Sequence, residues 1–254
     1  MNPQTDNPGQ QTPLPALPPV PASAAGGEQF ALDPEDMPNL DNIVIEDGKP
    51  VESIFAEKQL RLLTEPLYTS WPGPGEGRPF LALANVGLFY DFKTPPVVPD
   101  VMLSLDVSPA ADLSVKGNRS YFTWLRRKAP DVVIEIVSDK RGGEDTLKLL
   151  DYARIGVPYC VVFDPEHHLG PETLRGFLLR VRIYEPVSLD WMPQISLGLR
   201  LWEGVYEGQP AQWLRWCDRN GTPIPNGREQ AEQAQQKIER LEAKLRAHDI
   251  DPSA

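Results

Sequence analysis

PDVVIEIVSDKRGGEDTLKLLDYARIGVPYCVVFDP, residues 130–165, is the stretch that decides how this chain folds. It begins with a β-branched apolar run, Val132 to Val137, interrupted by one carboxylate, Glu135. A polar turn (Ser138 to Gly143) leads into a helical segment, Glu144 to Ile155, which Gly156 and Pro158 stop. A second β-branched run, Tyr159 to Phe163, closes the unit. Strand, helix, strand at this spacing predicts two parallel neighbours in a mixed sheet. A charge inside a buried strand is costly unless something pairs with it. Glu135 therefore asks for partners elsewhere in the chain.

Upstream, Pro50 to Trp71 reads as a helix, with Ile54, Phe55, Lys58, Leu62 and Leu67 three or four apart and Leu60 and Leu63 widening the apolar face. The breaker-dense WPGPGEGRP (Trp71 to Pro79) is a loop. Two strand-like runs follow, Phe80 to Phe92 and Val97 to Val107, separated by Lys93, Thr94, Pro95 and Pro96. Ser108 to Asn118 is a polar loop, Tyr121 to Leu125 is apolar, and Arg126, Arg127 and Lys128 form the densest basic cluster of the core. Downstream, Glu166 to Glu172 is a loop bearing His167 and His168. Leu174 to Tyr184 and Leu197 to Tyr206 read as strands, and Ala211 to Trp216 as a short strand or turn.

The ends differ from this core. Residues 1–40 are rich in Pro, Gln, Ala and Gly and read as disordered, because they bury too little apolar surface to offset the entropy of ordering. Asp41 to Pro50 is a linker or edge strand. Residues 41–218 form the expected domain, and 219–254 a linker and a helix. In that helix Ala231, Ala234, Ile238, Leu241 and Leu245 make an a/d seam of about two heptads, too short to stand alone. It is suited to packing on the domain or to pairing in a homodimer, coiled-coil fashion.

With 254 residues the chain is ample for one core. A net charge of −11 gives no bulk footprint for nucleic-acid binding, although charge carried on the tails leaves room for a local basic cleft. Cys160 and Cys217 read as free thiols of a reducing compartment, and no CxxC or Cys/His cluster offers a zinc site. No run is long enough to span a bilayer and no secretory leader stands at the start, so a cytoplasmic protein is expected.

Three residues carry chemistry. Asp100 stands at the start of one strand, after Pro99. Glu135 lies inside another, and Lys148 on the helix that follows. Two carboxylates on adjacent strands, with the backbone carbonyl of Ile136, are hard oxygen ligands for a divalent metal. A lysine beside them can orient water or stabilise the charge of a phosphoryl transition state. Each residue also has a structural reading: Asp100 as a turn residue bonding its own backbone, Glu135 as half of a buried ion pair, Lys148 as a helix-surface partner of Glu144 and Asp151. Asp131, four residues before Glu135, reads mainly as the residue that leads into the strand. His167 and His168 read as a solvated loop pair, Tyr152 and Trp124 as core or rim aromatics, and Gly142-Gly143 as a turn without phosphate-cradling spacing.

This arrangement resembles the PD-(D/E)XK nuclease superfamily, and within it the Uma-type family of restriction endonucleases. The resemblance is carried by APDVVIEIVSD, by E-D-x-x-x-K-x-x-x-Y-A-R-x-G-V-P-Y with VVFDP after it, by VVPDVMLSLDV upstream and by LRGFLLRVRIYEPV downstream, and spans roughly residues 51–207. It implies an α/β fold, a restriction-endonuclease-like mixed sheet flanked by helices. It also implies hydrolysis of DNA phosphodiester bonds with Mg²⁺ (or Mn²⁺) as cofactor. Asp100 matches the first acidic ligand and Glu135 the second. The superfamily's lysine two places after the glutamate is replaced by Val137, and Lys148 fits the position of a lysine on the next helix. Ser138 matches the serine that follows the glutamate strand, whereas Lys140 to Gly143 departs from the family's turn. Two other readings stand beside the nuclease: a catalytically inactive module of this fold that binds nucleic acid or assembles with protein, and an interaction protein acting through its two ends.

Overall fold

The strand–helix–strand unit sits at the centre of the molecule. The computed structural model describes residues 53–75, 77–138 and 144–247. The tail expected to be disordered, the linker at 41–50 and the turn at 140–143 lie outside the described residues. Six strands form the main sheet, in the order β1 (Phe80–Ala84), β3 (Val101–Leu105), β5 (Val132–Ile136), β6 (Tyr159–Phe163), β7 (Leu174–Arg180) and β8 (Ile183–Pro186). Within this sheet β5 and β6 pair in parallel, and the other neighbouring pairs are antiparallel. The parallel pair is joined by helix α3 (Glu144–Ile155), as its sequence predicts. The short strands β2 (Leu88–Phe89) and β4 (Tyr121–Phe122) pair with each other, and β4 runs into the single turn α2 (Thr123–Arg126).

Side chains alternate across a strand, so the sheet has two faces with separate cores. Val132, Ile134, Ile136, Val101, Leu103, Val161 and Phe163 pack with helix α1 (Ile54–Thr69) and the hairpin β9 (Gly198–Tyr206) and β10 (Gln209–Cys217). Met102, Val133 and Cys160 face the other way and pack with Tyr152, Ile155 and Val157 of α3 and the turn after it. Helix α1 starts at Ser53, whose hydroxyl accepts the amide of Ala56. Its buried Gln59 fixes the hairpin, donating to the carbonyl of Leu214 and accepting its amide at 2.8 and 2.9 Å.

Two sequence expectations need correcting. The run Phe80 to Phe92 is not one strand: Asn85, at φ 52°, ends β1, and only Leu88–Phe89 resumes. Leu174 to Tyr184 is likewise a hairpin, because Val181 and Arg182 both take positive φ and reverse the chain without a glycine or asparagine to announce it. Ala211 to Trp216, left as a strand or turn, lies within the nine-residue β10, which a Glu207-Gly208 turn at positive φ joins to β9.

Among the described residues, the C-terminal helix, α4 (Gly227–Ala247), is tied to the domain at its start. Asn226 and Glu229 cap each other reciprocally, Glu229 also holds Arg215, and the amide of Gly227 donates to Glu65. None of its residues is buried, and Ile238, Leu241 and Leu245 leave the seam exposed. Both cysteines are buried and unpaired with each other. Among the described residues no helix is long and apolar enough to cross a membrane.

Candidate active site

Register explains why Asp100 and Glu135 meet. Val101 pairs with Ile134, so the next step along the antiparallel ladder sets Asp100 opposite Glu135. Alternation puts Asp100 on the face of Met102, and Glu135 on the face of Val133, which is the α3 face in both cases. Asp100 bonds across the sheet. Its Oδ2 accepts the amide of Ile136 at 2.6 Å, continuing the ladder beyond the end of β3. The amide of Val137 points the other way, to the carbonyl of Phe163 in β6. In a trans peptide the N–H and C=O oppose each other, so the Ile136 carbonyl is directed to the Asp100 side.

From above the sheet α3 supplies two side chains one helical turn apart. Lys148 Nζ lies 2.6 Å from Glu135 Oε2, and the Tyr152 hydroxyl donates to Oε1. Each carboxylate oxygen thus has its own donor. Glu135 is shut away from water, its side chain 6% exposed, while Lys148 is 31% exposed and keeps contact with solvent. Asp151, an expected surface partner of Lys148, holds Arg154; the side chain of Glu144 lies outside the described residues. Val137 is buried, so the position two after Glu135 is an apolar wall and the ammonium reaches the carboxylate from the helix instead.

Burial, and then the negative charge of Asp100, push the Glu135 carboxyl up to about 7, although Lys148 and Tyr152 pull it down. Burial and the Glu135 charge likewise hold the Tyr152 phenol well above its usual range, so it stays a donor. A divalent cation would relieve this crowding of two carboxylates. The donors present suit a hard one: carboxylate oxygens of Asp100 and Glu135 and the Ile136 carbonyl, with water completing the shell. Among the described residues no group of three or more His, Cys, Asp or Glu is gathered that could hold a metal without that help.

Tyr152 lies in the core, as its sequence position suggested, but its hydroxyl also grips Glu135, a contact the sequence did not announce. Its signal was its place four residues after Lys148. The other candidates are placed elsewhere. Asp131 accepts Lys128 Nζ and the amide of Leu105, both at 2.7 Å, tying down the chain ahead of β5. His168 pairs with Glu166 in its loop, and Arg126 lines a separate cavity of about 380 Å³ beside β1.

Two carboxylates and a lysine at one end of a mixed sheet define a candidate phosphodiester-hydrolysing centre. The Uma2 family, described as "Putative restriction endonuclease", matches residues 36–204, and the chain belongs to that family. Among solved structures, one titled as "a putative nuclease belonging to DUF820" from Anabaena variabilis ATCC 29413 is similar. It shares 18% identity over 59% of this chain and 79% of its own, with a TM-score of 0.38. No curated protein matches.

Proposed function

We propose that this member of a nuclease family is a Mg²⁺-dependent endodeoxyribonuclease, with Asp100, Glu135 and the Ile136 carbonyl as metal ligands and Lys148 as the catalytic cation. The observation that supports this most is the state of Glu135. A buried carboxylate given a cation and a phenol, yet still pushed up to about 7 by its burial and then by the charge of Asp100, costs the fold free energy at neutral pH. That is an arrangement suited to chemistry rather than to stability. A divalent metal, when bound, would lower the pKa of a water and offset charge on a phosphate. Lys148, which holds Glu135 and keeps about a third of its side chain exposed, would donate to the attacking water or to a non-bridging phosphate oxygen. Tyr152 acts through Glu135 as a positioning residue, fixing the rotamer of its carboxylate. The test is cleavage of duplex and single-stranded DNA in Mg²⁺ or Mn²⁺, by wild type and Glu135→Ala. Cleavage that survives the substitution unchanged sinks the site.

Val137 favours the second reading, an inactive module that keeps the fold for binding nucleic acid or for assembly. A well-folded wild type that binds duplex DNA but leaves it intact in every divalent metal would establish that reading instead. The exposed seam of α4 supports a homodimer in either case, and sedimentation of wild type against Leu241→Glu tests it: a dimer lost on substitution is expected, a monomer in both refutes it.

A further inference from the structure

The basic cluster of the core contains a residue, Arg126, that neither the fold nor the candidate centre uses. Lys128 ties down Asp131, whereas Arg126 lines the cavity of about 380 Å³ beside β1. Leu81 and Leu83 of β1 and Val86 after it supply one side of that cavity. Tyr121 of β4 and Leu113 of the preceding loop supply another. Register sets Leu81 opposite Ser104 and Leu83 opposite Met102, so these side chains stand on the α3 side of the β1–β3 pair. The Tyr121 hydroxyl is engaged by Ser104 at 2.8 Å and by the Lys128 carbonyl, which leaves its ring as apolar wall. Arg119 donates to the carbonyls of Leu113 and Ser114 and so braces the loop.

The charge of this cavity runs against that of the chain. The protein carries a net charge of −11, yet among the described residues no Asp or Glu lines the cavity, while Arg119 and Arg126 do. Arg119 is committed to its two carbonyls. Arg126 makes no hydrogen bond and no ion pair among the described residues. Burial lowers its pKa, and only the Tyr121 hydroxyl acts against that. An arginine that merely covers apolar surface with its stem keeps its whole head in water. In Arg126 the Nε is cut off from solvent, so the head is held against the wall, while the two terminal nitrogens are not cut off and have donors to give. That end-on edge matches the two oxygens of one carboxylate. The apolar walls match an apolar body behind it, and the volume lies within the usual range of small-molecule sites. A dianionic phosphate would need more positive charge than one open fork supplies.

We propose that this cavity binds a small amphipathic carboxylate: the terminal nitrogens of Arg126 take the carboxylate, and Leu81, Leu83, Val86 and Tyr121 enclose the apolar body. The inference does not depend on the nuclease reading, because Asp100, Glu135 and Lys148 do not line the cavity.

The test is titration calorimetry on the full chain with octanoate, and with octanol as the uncharged probe of the same body. Octanoate should bind at a single site with a Kd of about 100 µM or tighter. Octanol should bind about tenfold more weakly or worse, for want of the charge-assisted bonds. Arg126→Met keeps the apolar stem, so it should weaken octanoate about tenfold or more and leave octanol unchanged. A second variant covers an Arg126→Met that folds poorly. Leu113 is 66% exposed, so Leu113→Trp spares the core, and by filling the cavity it should weaken both probes. Three results overturn the inference: no octanoate binding by well-folded wild type, equal affinity for octanoate and octanol, or octanoate binding that either variant leaves unchanged. Displacement of octanoate by a short DNA duplex would put the cavity on the path of DNA and overturn it as well.

Discussion

Replacing Glu135 by glutamine should stabilise the metal-free protein, and by an amount that grows with pH. The carboxyl is raised from 4.5 to about 7 by folding, so between those values the native state holds a proton that the unfolded chain has released. Stability must then fall as pH rises through that window, because the native state binds more protons than the unfolded one. At about 1.4 kcal/mol per pKa unit the full loss is roughly 3 kcal/mol, complete above pH 7 and absent below about pH 4. Glutamine cannot ionise, nearly matches the shape, and still offers an oxygen to the Tyr152 hydroxyl; Lys148, partly exposed, can turn to water. Urea unfolding in EDTA at pH 5, 6, 7 and 8 should therefore show Glu135→Gln gaining about 2–3 kcal/mol over wild type between pH 5 and pH 8. A difference that stays flat across this range would refute the claim that Glu135 titrates near neutrality. A difference of opposite sign would mean that Lys148 overcompensates burial and that the pair is structural after all.

Three further outcomes follow from the same geometry. Tyr152→Phe deletes one of the two donors that hold the carboxylate charged, so the acid limb of kcat/KM should move to higher pH, by about one unit for a bond to a charged group; an unmoved limb removes Tyr152 from the site. Lys148→Met should lower kcat by about a hundredfold or more, as loss of a transition-state donor does, and should lower Tm at pH 8, where the buried carboxylate loses the cation that offsets its burial; single-turnover cleavage and a melt at pH 8 are the measurements. Gln59→Ala should cost the fold about 2–4 kcal/mol, because it leaves both the amide and the carbonyl of Leu214 unpaired in the core, a loss read from the urea midpoint.

The parallel unit was legible because its signals are local: two β-branched runs, a breaker pair after the helix, and one acid out of pattern. Glu135 announced itself for the same reason, since a charge in a buried strand breaks the rule its neighbours keep. Asp100 was harder to place, because only the β3–β5 register sets it opposite Glu135, and register is a property of two strands far apart in sequence. Tyr152 was hidden behind its own burial: a phenol in a core looks the same from sequence whether or not its hydroxyl grips a carboxylate. The β7–β8 turn escaped because Val181 and Arg182 adopt a conformation that their side chains disfavour, which only the surrounding sheet can impose.

The central claim is that Asp100, Glu135 and Lys148 form a metal-dependent centre that cuts DNA, and the most direct measurement is conversion of supercoiled plasmid by purified protein in Mg²⁺. Wild type should nick or linearise it, EDTA should stop the reaction, and Glu135→Gln should be inactive while unfolding at higher urea than wild type at pH 8. Cleavage of equal rate by Glu135→Gln, or an intact plasmid with well-folded wild type in both Mg²⁺ and Mn²⁺, would contradict it.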